Sequence, residues 1–537
     1  MVRSISLLVS CILLSSYSWG QRDDKRPSSL GLEKGCKVIN TNKLRLEVLN
    51  SSQTVSELKT IGDDPFDFTP HTRLSERDKD GYYHLGDINL RVKAVGDTAW
   101  KDYSTAAKRL DVEPLQTASS NIVAAKLNKS LPADIPLTIT RYWEVDGGYP
   151  VMRFELQNNT SETLEIGALG FPLVFNNNFN RKTLDEAHAE NVFFDPYIGK
   201  DAGYLQVVRL HGKGQVLVVV PHGETPFEAY RPLLDDPTPR GFTFEGLHEW
   251  MVHSKAYSEK EWKGVNQWNT PTSVVLKPGE TRSYGLKFLL ADDLKSVENK
   301  LAEEKRPVAV GVPGYVLPKD VDGKLFLKYD KKIRTLTVNP ENALSIEKSG
   351  VSEKGWNVLQ VKGNTWGRSV LSITYEDGLE QTINYNVIEP EANVVSSFGN
   401  FLLTEQWFDQ PNDLFGRSPS VISYDYEDKK QITQDTRAWV AGLSDEGGAG
   451  SWLAAIMKQL LIPNKEEIKK LETFVNQTIW GGIQYNEGDL KYGADRSNPN
   501  GSISLHARSI SFIHPVSKEK ISVTAPVPED NLWQAFV

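Results

Sequence analysis

Short runs of alternating apolar and polar residues dominate the chain from Cys36 to about Leu290. Leu44-Arg45-Leu46-Glu47-Val48, Ile88-Asn89-Leu90-Arg91-Val92, Leu137-Thr138-Ile139-Thr140-Arg141-Tyr142-Trp143 and Val151-Met152-Arg153-Phe154-Glu155-Leu156 each turn every second side chain to one face, the period of a half-buried strand. Val145-Asp146-Gly147-Gly148-Tyr149 joins the last two as a hairpin turn. Val216 to Val220 is apolar throughout, as expected of a strand covered on both faces. Many strands without intervening helical patterns predict a large antiparallel β-sandwich.

A short charged helix is predicted over Asp293 to Lys305, with Pro307 and Pro313-Gly314 marking the exit from the sandwich. Shorter strands resume between Ala309 and Glu389, in the size and spacing of an immunoglobulin-like module. At about Asn393 the period becomes helical: Val394 to Trp407, Gly450 to Leu461 and the amphipathic Lys465 to Thr478. No further helix pair follows Ile483. The fold class expected is therefore multidomain, mainly β then α: a large antiparallel β-sandwich, an immunoglobulin-like β module and the start of a helical array. The boundaries read as 1–20 for a signal, 21–306, 307–390, 391–487 and 488–537.

The first twenty residues bear on compartment. Arg3, the apolar stretch Ile5 to Leu14 and the small-residue site Ser18-Trp19-Gly20 have the layout of a cleavable secretory signal, so a secreted or periplasmic protein is expected. Cys11 lies within that stretch without the small residues a lipid-anchor site wants, and removal of the signal leaves Cys36 without an internal disulfide partner. The chain is 537 residues long with a net charge of −9, which gives no electrostatic reason to bind nucleic acid. No apolar run long enough to span a membrane follows the signal. Neither metal-ligand spacing, a phosphate loop nor a dinucleotide fingerprint occurs, so no cofactor or metal is expected. Thirteen Trp and nineteen Tyr are many; they suit stacking on sugar rings or filling a core. The stretch holding His248, Trp250, His253, Trp262 and Trp268 reads equally as a saccharide groove or as sandwich core. Four Asn-x-Ser/Thr sequons begin at Asn50, Asn128, Asn159 and Asn476.

Four segments carry a resemblance: Gly81-Tyr82-Tyr83-His84-Leu85-Gly86-Asp87, Leu164-Glu165-Ile166-Gly167-Ala168-Leu169-Gly170-Phe171-Pro172, Asp425-Tyr426-Glu427-Asp428, and Arg437 through Gly450. Over about residues 25 to 487 the chain resembles an uncharacterised family of secreted six-hairpin glycosidase-like proteins. The resemblance implies a β-sandwich, a small β domain and an (α/α)6 barrel, here truncated, with a polysaccharide or oligosaccharide as partner. Glycoside hydrolysis usually needs two carboxyl groups flanking the scissile bond. Asp445 and Glu446, in a Gly-rich loop before the Trp452 helix, are the catalytic candidates. Arg437, Trp439, Tyr426 and Asp425 are the substrate-binding candidates. The alternative for Asp445 and Glu446 is capping of that helix. Being adjacent, they cannot together form the acid and base pair, and a second carboxylate has to come from elsewhere. A barrel cut after its first helices implies a chain that is catalytically poor or inactive, and a non-catalytic carbohydrate-binding or scaffold protein is the second reading.

From Gly488-Asp489-Leu490-Lys491-Tyr492-Gly493 onward the text resembles the C-terminal end of pseudouridine synthases acting on ribosomal and transfer RNA. The catalytic Arg-Leu-Asp motif expected upstream of that phrase does not precede it, and RNA modification rests on the tail alone. His506, Arg508 and His514 read as polar positions on a strand pair, predicted over Ser504 to Phe512 and Lys520 to Thr524.

Overall fold

The computed structural model describes residues 29–119, 121–239, 241–413, 419–433, 451–480, 509–513 and 520–524. Antiparallel sheets predominate, and helices are few. The alternating runs become the two sheets of the sandwich. One sheet has eight strands in the order Val192–Tyr197, Tyr204–Arg209, Val216–His222, Thr281–Ala291, Tyr149–Asn158, Leu137–Asp146, Val123–Lys126, Glu113–Leu115. The other has six: Ala229–Pro232, His248–His253, Leu164–Leu173, Asn89–Ala94 and Lys101–Ser104 in order, with Val274–Leu276 also paired to Leu164–Leu173. Phe154 of the first sheet stacks on Phe171 of the second, with centroids 5.0 Å apart and planes at 11°. Trp143, Leu156, Phe288, Val92, Leu169 and Trp250 bury fully or nearly so in the same core.

Two local signals from the sequence are realised directly. Asp146 pairs with Tyr149 across a two-residue turn whose Gly147 and Gly148 have φ of 56° and 82°, the left-handed pair that such a tight hairpin requires. The apolar strand Val216–His222 lies between Tyr204–Arg209 and Thr281–Ala291, buried up to Pro221. Among the polar side chains buried in the sandwich, Arg141 is 1% exposed and donates to the carbonyls of Gly86 and Ser52. Burial pushes its pKa down to about 9. Beside it, Trp143 Nε1 donates to Gln53 O at 2.8 Å, so the buried turn at residues 50–54 is held from within the sandwich.

The shorter module is a pair of sheets, one ordered Val308–Val312, Asp322–Lys328, Asn357–Gly363, Leu344–Val351 and the other containing Glu380–Ile388, Gly367–Tyr375 and Ile333–Asn339. Tyr197 Oη donates to Thr382 O at 2.9 Å, and Thr382 Oγ1 to Asn269 Oδ1 at 2.6 Å, fastening it to the sandwich.

The chain divides into two compact units: one runs through Tyr315 and includes Gly323–Val361 and Arg368–Asn386, the other holds Val316–Asp322, Lys362–Gly367 and everything from Val387 onward. In the second unit helices occupy Glu391–Thr404, Ser451–Leu461 and Lys465–Phe474. The first ends earlier than its apolar spacing predicts, because Trp407–Phe408 leave to pair with Ser420–Val421. Lys458 is 3% exposed among these helices and is matched by Glu467, with Nζ to Oε2 at 2.6 Å. Ser509–Ile513 pairs with Lys520–Thr524, as predicted for the tail. Among the described residues no helix is long and apolar enough to cross a membrane.

Candidate functional site

Strand alternation turns one face of the six-stranded sheet into the sandwich core and leaves the other to build a site. In Asn89–Ala94, Leu90 and Val92 point into the core while Asn89 and Arg91 point away. In His248–His253, Trp250 and Val252 point in, and Glu249 and Met251 out. On the outward face lies a cleft of about 200 Å³ whose lining includes Asn89, Asp102, Arg231, Asp235, Glu249 and Tyr257.

Glu249 organises the floor. It is 0% exposed, yet both carboxylate oxygens are satisfied: Arg231 Nε donates to Oε1 and Asn89 Nδ2 to Oε2, the latter at 2.6 Å. Gly170 makes room for it, since a Cβ there would stand 2.5 Å from Glu249 Cδ and 2.6 Å from Oε2. Burial works against the Arg231 charge, but Glu249 outweighs it and holds the guanidinium pKa above its ordinary value. The two Nη groups of Arg231 make no hydrogen bond among the described residues. They are fixed donors left over for a ligand. The Tyr257 ring carries Arg91 at 3.9 Å and Arg231 at 4.9 Å, and Trp262 stacks at 5.0 Å. Burial, reinforced by Glu249, pushes the Tyr257 hydroxyl up to about 12. Asn89 Oδ1 is buried without a partner.

Tyr83 and Asp235 close one side. Tyr83 Oη donates to Asp235 Oδ2 at 2.6 Å, and burial together with that carboxylate raises the phenol pKa. The loop presenting Tyr83 is tied in place by buried ion pairs and hydrogen bonds. Asp87 accepts from His84 N at 2.8 Å, Thr105 Oγ1 at 2.8 Å and the buried Arg109 at 2.6 Å. Asp236 accepts from Tyr83 N at 3.0 Å and Arg77 at 3.2 Å. Burial keeps His84 well below its ordinary pKa, and its Nε2 lies 2.8 Å from Arg77 O. A carbonyl only accepts, so Nε2 carries the proton. On the far side of the cleft Asp102 takes Arg91 Nε at 2.5 Å.

Two of the four resemblance segments thus meet here: Tyr83 comes from the first, and Ala168 and Gly170 from the second. The sequence reading did not single out Glu249, Arg231, Asn89 or Asp235. The available signal was a charged residue at an outward strand position flanked by core aromatics, and that pattern alone does not separate a site from a solvated face.

Arg437, Trp439, Asp445 and Glu446 lie outside the described residues. Asp425 is 8% exposed in the small hairpin Tyr424–Asp425 with Lys430–Gln431, and its Oδ1 accepts from Glu427 N and Asp428 N at 3.0 and 2.9 Å. Tyr426 beside it is 80% exposed, with its ring 6.5 Å from that of Phe401. Of the aromatic stretch, Trp250 is core and stacks on Phe227 at 3.8 Å, His253 is half-buried between Thr272 and Tyr284, and Trp268 is exposed. Among the described residues no three His, Cys, Asp or Glu side chains are placed to hold a metal.

The model of a family of unknown function, DUF5695, matches residues 47–498. That match runs past Gly488, where the tail resemblance begins. A solved polysaccharide lyase shares the fold, with a TM-score of 0.63 and 16% identity over 84% of this chain; the chain spans 61% of that protein's length. A galactose mutarotase-like protein from Lactobacillus casei (TM-score 0.30, 11% identity, 48% of this chain and 100% of the other) aligns more loosely. So does a GH36 alpha-galactosidase from Geobacillus stearothermophilus (0.26, 10%, 48% and 41%). Neither of these two bears on function. Comparison with curated proteins gives no match.

Proposed function

The chain belongs to the DUF5695 family of unknown function, and from that premise we propose that it is a carbohydrate-active protein that seats a saccharide in the Arg231–Glu249 cleft. One observation carries the reading: a small cleft holds polar atoms that make no hydrogen bond among the described residues. They are the Nη groups of Arg231 and the second carboxylate oxygens of Asp102 and Asp235. A sugar ring offers hydroxyls that both donate and accept, and can answer all of these at once. Because Glu249, Tyr83 and Arg91 already hold those groups in place, little ordering cost remains at binding. The volume of about 200 Å³ is below the usual range of about 300–1,000 Å³ for drug-sized ligands, which suits one ring of a longer chain.

The partner in this reading is a polysaccharide or oligosaccharide met outside the cell or in the periplasm. Hydrolysis through Asp445 and Glu446, with Arg437, Trp439, Asp425 and Tyr426 on substrate, is the catalytic version; binding without turnover is the other. A glycan array probed with the full chain tests both. Glycan retention that Ala107→Trp abolishes, by filling the cleft from an exposed position, supports the reading, and an array that retains nothing overturns it. Release of reducing ends from the retained glycan without unsaturated ends, lost in Asp445→Asn or Glu446→Gln, selects hydrolysis.

A further inference from the structure

Resting on the saccharide reading of this cleft, we propose that its ligand is a non-acidic glycan and that the cleft rejects uronate and sulfated sugars. The charges around it decide this. Among the described residues, Asp102, Asp235 and Glu249 line the cleft against a single lining cation, Arg231. Arg231 is not free to neutralise an incoming anion, because the fully buried Glu249 already answers its charge. Its Nη groups remain hydrogen-bond donors without a net positive field behind them. The next cation outward, Arg91, is divided between Asp102 at 2.5 Å and Glu261 at 2.8 and 2.7 Å, with its guanidinium laid on Tyr257. Among the described residues no lysine lines the cleft.

A sugar carboxylate entering here gives up its water, meets two exposed carboxylates and finds both guanidinium groups committed. A neutral ring loses nothing comparable. Its hydroxyls donate to the open oxygens of Asp102 and Asp235 and accept from Arg231, and the Tyr83 hydrogen bond holds Asp235 in position for that contact. The discrimination is built from repulsion as much as from attraction.

Calorimetric titration of the full chain with two sets of oligosaccharides tests the inference: neutral gluco-, manno- and xylo-oligosaccharides against oligogalacturonate and oligoalginate. The neutral set is expected to bind at least about tenfold tighter, roughly 1.4 kcal/mol. Asp235→Asn keeps an acceptor for Tyr83 and removes one repelling charge, so it is expected to narrow the gap by raising affinity for the acidic set. Tighter binding of an acidic oligosaccharide by the unaltered chain overturns the inference while leaving the saccharide reading intact, and so does an Asp235→Asn chain whose gap is unchanged. Binding of neither set defeats the saccharide reading itself.

Discussion

Removing the Glu249 carboxylate is the most informative perturbation of the site. In Glu249→Ala, Arg231 loses its only hydrogen-bond acceptor among the described residues, and Asn89, itself 8% exposed, loses the acceptor for its Nδ2. Breaking a buried ion pair from one side costs about 3–5 kcal/mol, because the surviving charge stays desolvated. The Arg231 side chain is 13% exposed against 0% for Glu249, so water relieves part of that cost, while the stranded Asn89 amide adds about 1 kcal/mol or more. A net loss of about 3–5 kcal/mol follows. Two compact units need not unfold together, so native-state hydrogen exchange on the strand His248–His253 of the first unit, compared with the helix Glu391–Thr404 of the second, is the suitable assay. The strand should lose that protection and the helix should not. In a double-mutant cycle with Arg231→Ala the coupling should exceed about 1.5 kcal/mol. A loss under about 1 kcal/mol, or additive single changes, would refute the role given to Glu249.

Gly170→Ala should destabilise by about 1–3 kcal/mol, since its Cβ would overlap the Glu249 carboxylate; Gly314→Ala, which meets nothing within 4 Å, should stay within about 0.5 kcal/mol by denaturant unfolding. His253 is held neutral by burial, with its pKa lowered to about 4 from 6.5. The unfolded chain therefore binds the extra proton, and stability complete above pH 6.5 should fall by about 3 kcal/mol as pH drops toward 4. His253→Asn should flatten that slope in pH-dependent unfolding, and an unchanged slope would show that His253 is not its source. Gly167→Ala should also cost about 1–3 kcal/mol, because Trp100 ring atoms stand 2.4–2.6 Å from its would-be Cβ.

Strand-rich architecture was legible because period-two alternation is local: Val151 through Leu156 states its own burial, and Gly147-Gly148 its own turn. The end of the helix at Thr404 was not, because the pairing of Trp407 with Val421 is decided fourteen residues further on. The cleft was less legible still. Asp102, Arg231 and Glu249 come from three strands that sheet order brings together, and Tyr83 from a loop tied to Asp235. Gly167 and Gly170 stood inside a segment that the resemblance had singled out, but the reason for a glycine there is the bulk of Trp100 and Glu249 opposite. The aromatic count pointed toward sugars without location: Trp250 and Trp143 are core, and the described cleft works mainly through polar groups.

Titration of a neutral oligosaccharide into the unaltered chain and into Ala107→Trp, with thermal unfolding recorded for both, bears most directly on the proposal that the six-stranded sheet holds a saccharide. Ala107 is exposed and lines the cleft without joining the Glu249 network. The expected result is saturable binding that weakens at least about tenfold in Ala107→Trp, with the two unfolding curves superimposed. Binding that Ala107→Trp leaves unchanged, or no binding by the unaltered chain, would contradict it.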